Sequence, residues 1–245
     1  MSISVCIPTY NGEQFIREQL DSILNQTQVV DEIIISDDSS SDRTVEVIQS
    51  YNNHKIKLFE KQKFSSPIFN LEFALKQTKG DYIFLADQDD IWMPNKVEVL
   101  VKELAKCKLV VSNGEVINQA GEMIAPSLFE LFNSRRGFLK NLTKNSYMGC
   151  CMAFHKDLLP IVLPFPKSIA MHDLWIGLNA ELHSRPVFCP TKLVKYRRHD
   201  FNKTPLDANT NTNSLFYIIA FRVKMFLLVV TRLINIKSKL LFANR

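Results

Sequence analysis

The sequence contains few glycines and lacks the glycine-rich loops of two large classes of nucleotide-binding enzymes. Only 7 of its 245 residues are glycine, and Gly12 is the one glycine near the first predicted strand. Neither Gly-x-Gly-x-x-Gly nor Gly-x-x-x-x-Gly-Lys occurs. Because those loops bind the phosphates of dinucleotides and nucleoside triphosphates, the sequence disfavours dehydrogenases and P-loop enzymes.

The cysteines do not form the pattern of a disulfide framework. There are 5, an odd number, and most lie in apolar stretches. We therefore expect a reducing compartment and, since the first predicted strand begins close to the N-terminus, no signal peptide. The adjacent Cys150 and Cys151 lack the Cys-x-x-Cys spacing of zinc sites, so we expect them to be buried as small hydrophobic residues.

Acidic residues are absent from the last part of the chain. None follows Asp207, whereas six of the 30 basic residues do, and these six account for the net charge of +5. The rest of the chain is close to neutral, which argues against a nucleic-acid partner. Arg222 and Lys224 interrupt the apolar residues of the tail, so no run reaches the roughly 18 residues of a membrane-spanning helix.

We interpret residues 206–245 as a loop followed by a basic, apolar helix that suits the surface of an anionic membrane leaflet. Two other interpretations stay open: the helix packs against the rest of the chain, or it pairs with a second copy in a homo-oligomer. Residues 203–213, rich in Asn and Thr, are typical of a mobile loop.

In the N-terminal half, short apolar runs alternate with stretches of helical periodicity. Apolar runs predict strands, and apolar residues three and four apart predict helices. The predicted strands cover residues 2–8, 32–36, 56–60 and a run from Tyr82, and the predicted helices cover 13–25, 43–51 and 68–77. This alternation predicts an α/β fold with parallel strands, in which ligands gather at the carboxyl ends of the strands.

Three of the predicted strands end in polar residues, and the third end is strongly acidic. Thr-Tyr-Asn at 9–11 follows the first strand, Asp-Asp at 37–38 follows the second, and Asp87, Asp89 and Asp90 follow the apolar run 82–86. Like charges repel and a carboxylate resists burial, so the acidic cluster indicates a bound cation. Oxygen ligands suit Mg²⁺ or Mn²⁺. The alternative is a solvated acidic turn that caps the helix after Pro94.

Three motifs, in this order along the chain, resemble glycosyltransferase family 2. They are Pro-Thr-Tyr-Asn-Gly at 8–12, Asp-Asp-Ser-Ser-Ser-Asp at 37–42 and Asp-Gln-Asp-Asp-Ile-Trp at 87–92, within a resemblance that covers residues 2–205. The resemblance implies an inverting enzyme of the GT-A fold, a single Rossmann-like mixed β-sheet flanked by helices, with a nucleotide-sugar donor. The third motif most resembles a bacterial rhamnosyltransferase-like branch.

The resemblance implies a nucleotide-sugar-binding half at residues 1–112 and an acceptor and catalytic half at 113–205. Asp38 is expected to accept a hydrogen bond from a pyrimidine ring, and Asp37 to support its loop. Helix capping is the alternative for Asp38. The branch favours dTDP-rhamnose, although users of UDP-sugars share the motifs. The implied donor-binding residues are Pro8, Thr9, Tyr10, Asn11, Asp38, Asp87, Gln88, Asp89 and Arg197.

The resemblance also assigns ligands to a Mn²⁺ or Mg²⁺ ion. Asp89 is the expected direct ligand, and Asp90 is a weaker second one. His199 and Arg197 belong to a segment that resembles the family's Tyr-Arg-x-His-x-x-Asn motif and ends at Asn202. A neutral imidazole can bind a metal and a cation can bind a diphosphate, so we expect His199 at the metal or diphosphate, and Arg197 on phosphate or as a support.

The second half of the chain contains the expected general base. In an inverting transfer the acceptor hydroxyl loses its proton as it attacks, so a carboxylate is needed. Within Ala-Met-His-Asp-Leu-Trp-Ile at 170–176, Asp173 resembles the family's catalytic acid position, and a helix N-cap is its alternative role. His172, Trp175 and Gly149 are expected on the acceptor side, with His172 packing or orienting and Gly149 admitting the sugar close to the backbone.

The predicted function is transfer of a sugar to a lipid-linked saccharide in the synthesis of O-antigen, capsule or another surface polysaccharide. The protein is expected to be cytoplasmic and peripheral on the inner face of the plasma membrane. Residues 134–137, Ser-Arg-Arg-Gly, bind an acidic acceptor group or form a solvated loop. Two alternatives stay open: a sugar nucleotidyltransferase, which normally has a glycine-rich phosphate loop, and a non-catalytic sugar-binding or scaffold protein, because a fold alone does not establish activity.

Overall fold

One mixed β-sheet lies at the centre of a computed structural model that describes residues 1–199 and 215–243. The strands lie in the order β3-β2-β1-β4-β8-β6-β9-β5, and β7 pairs with β6. The mixed α/β architecture predicted from the sequence is confirmed. The strands are β1 (Ile3–Thr9), β2 (Glu32–Asp37), β3 (Ile56–Phe59), β4 (Tyr82–Leu85), β5 (Ile91–Trp92), β6 (Leu109–Ile117), β7 (Met123–Ala125), β8 (Met152–His155) and β9 (Val187–Arg197).

Helices flank this sheet. The helix α3 packs against β1 and β2, and α4 packs against β6, β8 and β9. Short 3₁₀ turns at Gly149–Cys151 and Lys156–Leu158 come before and after β8. The α-helices are α1 (Ile16–Leu24), α2 (Thr44–Gln49), α3 (Pro67–Gln77), α4 (Lys96–Leu104), α5 (Leu128–Phe132), α6 (Phe138–Thr143), α7 (Leu159–Val162), α8 (His172–His183) and α9 (Leu215–Ala243).

The two halves of the sheet differ in strand direction. In the first half, β1 pairs in parallel with β2 and β4, and β2 pairs in parallel with β3. The strands β1 and β2, whose central residues are mainly apolar, are buried except for the half-buried Pro8, as expected for parallel strands covered on both faces. In the second half, β8 lies antiparallel to both β4 and β6. The antiparallel pairs depend on long-range contacts that the local sequence pattern did not specify.

The register of the parallel strands brings the polar strand ends together. Thr9 lies opposite Asp37 in the β1–β2 pair, and Cys6 lies opposite Leu85 in the β1–β4 pair. The amide of Ala86 donates to the Cys6 carbonyl (3.0 Å) and continues this register. The residues after β1, β2 and β4 therefore meet at one edge of the sheet.

Two helices are shorter than predicted. The first begins at Ile16 rather than at residue 13, and the Glu13 carboxylate accepts a hydrogen bond from the Arg43 amide (2.8 Å). The second begins at Thr44, whose amide donates to an Asp42 carboxylate oxygen (3.0 Å). The first helix thus lacks its predicted first turn, where Glu13 contacts Arg43, whereas the second begins only one residue later than predicted.

The C-terminal helix α9 packs on the rest of the chain through one face. Met225 and Val229 are buried, and α9 lies against α6 and α8. The Arg232 guanidinium donates to the Leu163 carbonyl (2.7 Å) and stacks over the ring of Trp175. One of the open interpretations of the tail was that it packs against the rest of the chain. This face of α9 does so, and Arg232 takes part in the packing.

No helix within 1–199 or 215–243 is both long enough and apolar enough to cross a membrane. The predicted loop at 203–213 and Asn202 of the closing motif lie outside the described residues.

Candidate active site

The turn after β1 is held in place by Gln88. The Gln88 side chain accepts a hydrogen bond from the Tyr10 amide (2.8 Å) and donates to the Tyr10 carbonyl (3.0 Å). A Cβ atom at Gly12 would lie 2.5 Å from the Gln88 side-chain oxygen, so a larger residue there would displace the Gln88 amide group. Gln88, predicted to bind the donor, instead uses its amide group to position the backbone of Tyr10.

The end of β1 is tied to the end of β2 through Asp37. The buried Thr9 hydroxyl donates to Asp37 (2.9 Å), and the Ser40 amide donates to the other oxygen of the same carboxylate (2.8 Å). Asp37 therefore supports the 37–40 loop. The Thr9 side chain is buried in this contact, whereas the Tyr10 side chain is exposed. The expected place of both residues in the donor pocket stays a prediction.

Asn11 joins the same two loops from the exposed side. Its backbone has φ 47°, a left-handed conformation that Asn tolerates better than most residues. The Asn11 side-chain oxygen accepts a hydrogen bond from the Ser41 amide (2.9 Å), and the Asn11 amide donates to the Ser40 hydroxyl (2.9 Å). The two strand-end loops thus form one hydrogen-bonded unit.

Asp38 orders the segment that leads into α3. One oxygen accepts a hydrogen bond from the Phe64 amide (2.6 Å) and the other accepts one from the Ser66 amide (3.2 Å). An ionised carboxylate has about four acceptor positions, so Asp38 retains capacity for a donor base. The capping alternative for the second helix is wrong for Asp38, since Asp42 makes that contact.

Asp89 and His199 meet directly, although 110 positions separate them in the sequence. The His199 Nε2 atom lies 2.8 Å from an Asp89 carboxylate oxygen, and the imidazole stacks on Phe15 at 4.8 Å between ring centroids. An imidazole nitrogen and a carboxylate oxygen at this separation can share one divalent cation, and this donor pair is compatible with Mn²⁺. The structure thus brings together two of the three predicted metal ligands.

Asp90, the third predicted ligand, is turned into the protein. It is buried, and one of its oxygens accepts a hydrogen bond from the Arg197 amide (2.9 Å). Burial, together with the carboxylates of Asp89 and Asp87, raises the pKa of Asp90 well above its ordinary value. Asp90 therefore fixes the end of β9. The alternative of a solvated acidic turn is also wrong, because Asp87 and Asp89 are partly buried as well.

A second group of ligand-type atoms lies deeper in the same region. Oxygens of Asp87 and Asp90 and the sulfur of Cys150 lie within 4.8 Å of one another. The contact with Cys151, burial and the nearby carboxylates raise the pKa of the Cys150 thiol well above its ordinary value. A neutral thiol is a poor ligand for a hard cation. The pair of Asp89 and His199 therefore fits a divalent ion better than this group does.

Arg197 supports Asp89. Its guanidinium is only 3% exposed and donates to the Asp89 carbonyl (2.9 Å) and the Gln119 carbonyl (2.9 Å), while a third nitrogen contacts the Glu18 carboxylate. The ring of Phe15 lies beneath it at 5.1 Å. Of the two predicted roles of Arg197, these contacts describe the support, and the phosphate contact stays a prediction.

Replacing Arg197 with Met tests this role. We expect a loss of about 1–3 kcal/mol in unfolding free energy, because two partly buried hydrogen bonds of the guanidinium are lost. The contact with Glu18 adds little, since that carboxylate is 56% exposed. Urea unfolding measures the change, with Lys192→Met, an exposed position on the same strand, as the control. Unchanged stability with weakened nucleotide binding would support the phosphate-binding role instead.

Lys96 is a buried cation that the sequence analysis missed. Its ammonium donates to the Cys150 carbonyl (2.7 Å) and lies 3.8 Å from the centre of the Trp92 ring. Burial lowers the pKa of Lys96 to about 8. One face of α4 contains Lys96, Leu100 and Leu104. A lysine at the helical spacing of apolar residues is the sequence pattern that could have identified Lys96 as buried.

Asp87 lies between this lysine and the other carboxylates. Burial, together with the charges of Asp89 and Asp173, raises the pKa of Asp87 to about 7, and the charge of Lys96 opposes this rise. The Asp87 carbonyl accepts a hydrogen bond from the Gln19 side chain (2.9 Å). The structure thus places the predicted base, Asp173, within electrostatic reach of the acidic strand end.

Asp173 lies in the first turn of α8. The helix begins at His172 with Met171 as its N-cap, so the alternative role of Asp173 as the cap is wrong. Its carboxylate accepts hydrogen bonds from the Leu174 amide (2.7 Å) and the Asn145 side chain (3.3 Å). Burial raises the pKa of Asp173 above its ordinary value, which strengthens a carboxylate as a base. Asn145 was not identified from the sequence.

Two acceptor-side assignments do not agree with the structure. Trp175 is 0% exposed and its indole N–H donates to the Val162 carbonyl (2.8 Å), so this side chain belongs to the core and cannot contact an acceptor. Gly149 lies in a 3₁₀ turn rather than a strand, and a Cβ there would lie 2.7 Å from His172 Nε2. Gly149 thus makes room for the His172 imidazole, which packs as expected, and burial lowers the pKa of that imidazole.

Comparison with known proteins gives a consistent result. The family model described as Glycosyl transferase family 2 matches residues 4–160. An Escherichia coli protein, UDP-Glc:alpha-D-GlcNAc-diphosphoundecaprenol beta-1,3-glucosyltransferase WfgD, is 28% identical over 202 residues, which cover 80% of this chain and 76% of that protein.

Two solved structures share the fold. TarS of S. aureus in complex with UDP-GlcNAc superposes with a TM-score of 0.70 at 19% identity, over 96% of this chain and 67% of that one. The mannosyltransferase PcManGT of Pyrobaculum calidifontis, in complex with GDP-Man and Mn²⁺, gives 0.56 at 22% identity, over 77% of this chain and 54% of that one. The chain therefore spans less than two thirds of the mannosyltransferase.

Proposed function

The chain belongs to glycosyltransferase family 2 and is a transferase, and from this premise we propose that it transfers a sugar from a nucleoside-diphosphate sugar to a hydroxyl of a lipid-linked saccharide, with inversion. The observation that carries the proposal is the meeting of Asp89 with His199 at the strand ends, beside Asp87 and within electrostatic reach of Asp173. Such a site combines a place for a diphosphate-bound cation with a buried carboxylate base.

Asp89 and His199 would hold a Mn²⁺ or Mg²⁺ ion. When bound, the ion supplies Lewis-acid stabilisation of the negative charge on the departing diphosphate. Arg197 positions Asp89 through its carbonyl, and Phe15 packs against the imidazole of His199. These contacts hold the carboxylate and imidazole side by side before the donor arrives, so little reorganisation is needed.

Asp173 would accept the proton of the attacking hydroxyl. The acceptor oxygen forms a bond to the anomeric carbon, the bond from that carbon to the diphosphate oxygen breaks, and the leaving nucleoside diphosphate takes the electron pair. The Asn145 side chain and the Leu174 amide orient the Asp173 carboxylate during this step. A base held at a fixed angle favours the in-line geometry that inversion requires.

The identity of the donor is a finer proposal. Asp38, with its loop ordered by Phe64 and Ser66, suits a pyrimidine base, and Tyr10 is exposed beside it. The names of the similar proteins support a UDP-sugar, since WfgD is a UDP-Glc enzyme and TarS binds UDP-GlcNAc. The form of the Asp-Gln-Asp-Asp-Ile-Trp motif favours dTDP-rhamnose. We propose a dTDP- or UDP-linked donor on these grounds.

The same comparison supports our proposals for the acceptor and for the cellular location. WfgD is named for a diphosphoundecaprenol-linked acceptor, which supports a lipid-linked saccharide and hence a role in surface polysaccharide synthesis. An acceptor anchored in lipid favours a protein that works at the inner face of the plasma membrane, bound to its surface rather than spanning it.

Ligand-induced stabilisation tests the donor class. A ligand that binds only the folded protein raises the melting temperature by mass action. We expect UDP or dTDP compounds to raise it with Mn²⁺ and much less with EDTA, and the sugar-linked form of one of them to support transfer to a lipid-linked saccharide. GDP compounds are the matched control. Folded protein that responds to none of these ligands would overturn the proposal, and pyrophosphate release from a sugar phosphate and a nucleoside triphosphate would instead identify a nucleotidyltransferase.

A further inference from the structure

Two basic segments without acidic residues, far apart in the sequence, lie against each other in the fold. Residues 131–156 contain no Asp or Glu, and neither do residues 215–243. The first segment includes α6 and the second is α9, and these two helices are in contact. The rings of Phe138 and Phe226 meet edge to face at 6.3 Å. We call the outward side of these helices, with residues 134–137, the α6–α9 surface.

The α6–α9 surface exposes large apolar side chains. On α9 the exposed residues Ile219, Val223, Leu227 and Ile234 are four or seven positions apart, so they lie along one side of the helix. The mainly apolar side chains of this side form an open, continuous face of the helix from Ile219 to Thr231. A contiguous exposed apolar face of this kind is typical of a binding surface. The exposed fractions are 72% for Leu139, 53% for Ile219, 51% for Val223, 56% for Leu227 and 60% for Ile234.

Positive charge surrounds these apolar side chains. The exposed cations of the two segments are Arg135, Arg136, Lys144, Lys224 and Lys237. Lys140 lies among them, and burial together with the charges of Arg135 and Lys144 lowers its pKa to about 8. No acidic side chain of either segment neutralises this charge. The combination suits an interface that is apolar at depth and anionic at its surface.

The basic turn before α6 is anchored to the domain. The Gly137 amide donates to a Glu181 carboxylate oxygen (2.5 Å), and the Asn141 side chain donates to the Arg135 carbonyl (2.9 Å). Asn141 also accepts a hydrogen bond from the Ser146 amide (3.0 Å), next to Asn145, which contacts the base Asp173. The turn is therefore not a freely solvated loop, and a short chain of contacts joins it to the acceptor side of the site.

We infer that the α6–α9 surface docks on an anionic lipid leaflet. The apolar side chains enter the interfacial region of the leaflet and the cations contact its headgroups. A second copy of the chain is a poor occupant, because two surfaces with the same charge repel each other. The contacts of Asn141 and Ser146 connect this face to Asn145, next to the base that a lipid-linked acceptor would reach. The inference extends the proposed function but does not depend on transfer itself.

Co-sedimentation of the full chain with vesicles tests the inference. We expect binding to phosphatidylcholine vesicles that contain phosphatidylglycerol, weakened by added salt, and little binding to phosphatidylcholine alone. The double variant Arg135→Ser/Arg136→Ser should bind about 30-fold more weakly, since each basic residue near the surface contributes about a fivefold factor. Lys102→Ser/Lys106→Ser, two exposed positions at the end of α4 and just after it, removes the same charge elsewhere and should bind as the unmodified chain does.

A second pair of measurements keeps the inference open to refutation. Leu139→Ser/Leu227→Ser should also lose vesicle binding without changing the size of the particle on gel filtration. Equal binding to both vesicle types, equal loss in the α4 control, or a dimer that this apolar variant dissociates would overturn the inference. Transfer to a detergent-dispersed acceptor separates the two proposals: transfer without vesicle binding refutes docking alone, and vesicle binding without transfer refutes the proposed reaction alone.

Discussion

Replacing Asp173 with Asn is expected to lower kcat for sugar transfer by about 10²–10⁴-fold, the usual contribution of a general base. Asn has the same shape and keeps the acceptor atom that faces Leu174, but it cannot take the proton of the attacking hydroxyl. The donor does not contact this group in the proposed reaction, so its affinity should be nearly unchanged. Steady-state kinetics with a nucleotide-binding measurement distinguish the two effects.

The pH dependence of the unmodified enzyme gives a second readout for the same residue. Burial raises the pKa of Asp173, and only the deprotonated carboxylate can act as a base. Activity should therefore fall as the pH decreases through a value above the ordinary Asp pKa of about 3.9. The residual activity of Asp173→Asn should lack this acid limb.

Asp157→Asn is the matched control for the base. Asp157 is half exposed just after β8, and its replacement removes the same negative charge as Asp173→Asn does. It should leave kcat unchanged. If Asp173→Asn binds the donor and transfers sugar at the unmodified rate, Asp173 is not the base. If Asp173→Asn loses donor binding together with activity, its role is structural.

Replacing Asp89 with Ala is expected to weaken Mn²⁺-dependent binding of the nucleotide by at least about 100-fold. Removing a residue that only supports a metal ligand lowers metal affinity or activity by about 10–100-fold. Asp89 is a proposed direct ligand, so its removal should cost at least the upper end of that range. His199→Ala should act in the same direction. Because both residues would bind one ion, the double variant should be little worse than the more affected single variant. Calorimetric titration with Mn²⁺ in the presence of UDP measures the effect.

The deeper group of potential ligands provides the discriminating control for Asp89. Cys150→Ala removes the sulfur from the Asp87, Asp90 and Cys150 group and should leave Mn²⁺ dependence intact. If instead Cys150→Ala abolishes the dependence and Asp89→Ala keeps it, the ion binds at the deeper group and our assignment is wrong.

The positions of the loops after β1, β2 and β4 were predictable from the sequence. The contacts of their side chains were less predictable. A buried apolar run followed by polar residues is a local pattern, so the ends of β1, β2 and β4 were placed within a residue or two. Gln88 and Thr9 were expected to face the donor. Their hydrogen bonds to Tyr10 and Asp37 depend on the register between neighbouring strands, which a single strand does not encode.

The same limit explains the residues that were misassigned or missed. Trp175 and Asp173 are two positions apart on α8, yet one is core and the other faces the site; only the packing of α7 and α9 on that helix distinguishes them. The sequence shows Lys96 as a lysine within an apolar helical stripe. Its hydrogen bond to the Cys150 carbonyl could not be predicted, because the two residues meet only in the fold. Asn145 carries no local signal, because its partner is 28 residues away.

The amino-acid sequence by itself determined the alternation of strands and helices, the acidic strand end, the family and the positive charge of the tail. These properties follow from periodicity, composition and short motifs, which are local. Only the tertiary structure decided that His199 meets Asp89, that Arg197 donates to the Asp89 carbonyl, and that α6 and α9 form one basic, apolar surface. Each of these depends on contacts across many tens of residues, which form only when the sheet and its helices pack together.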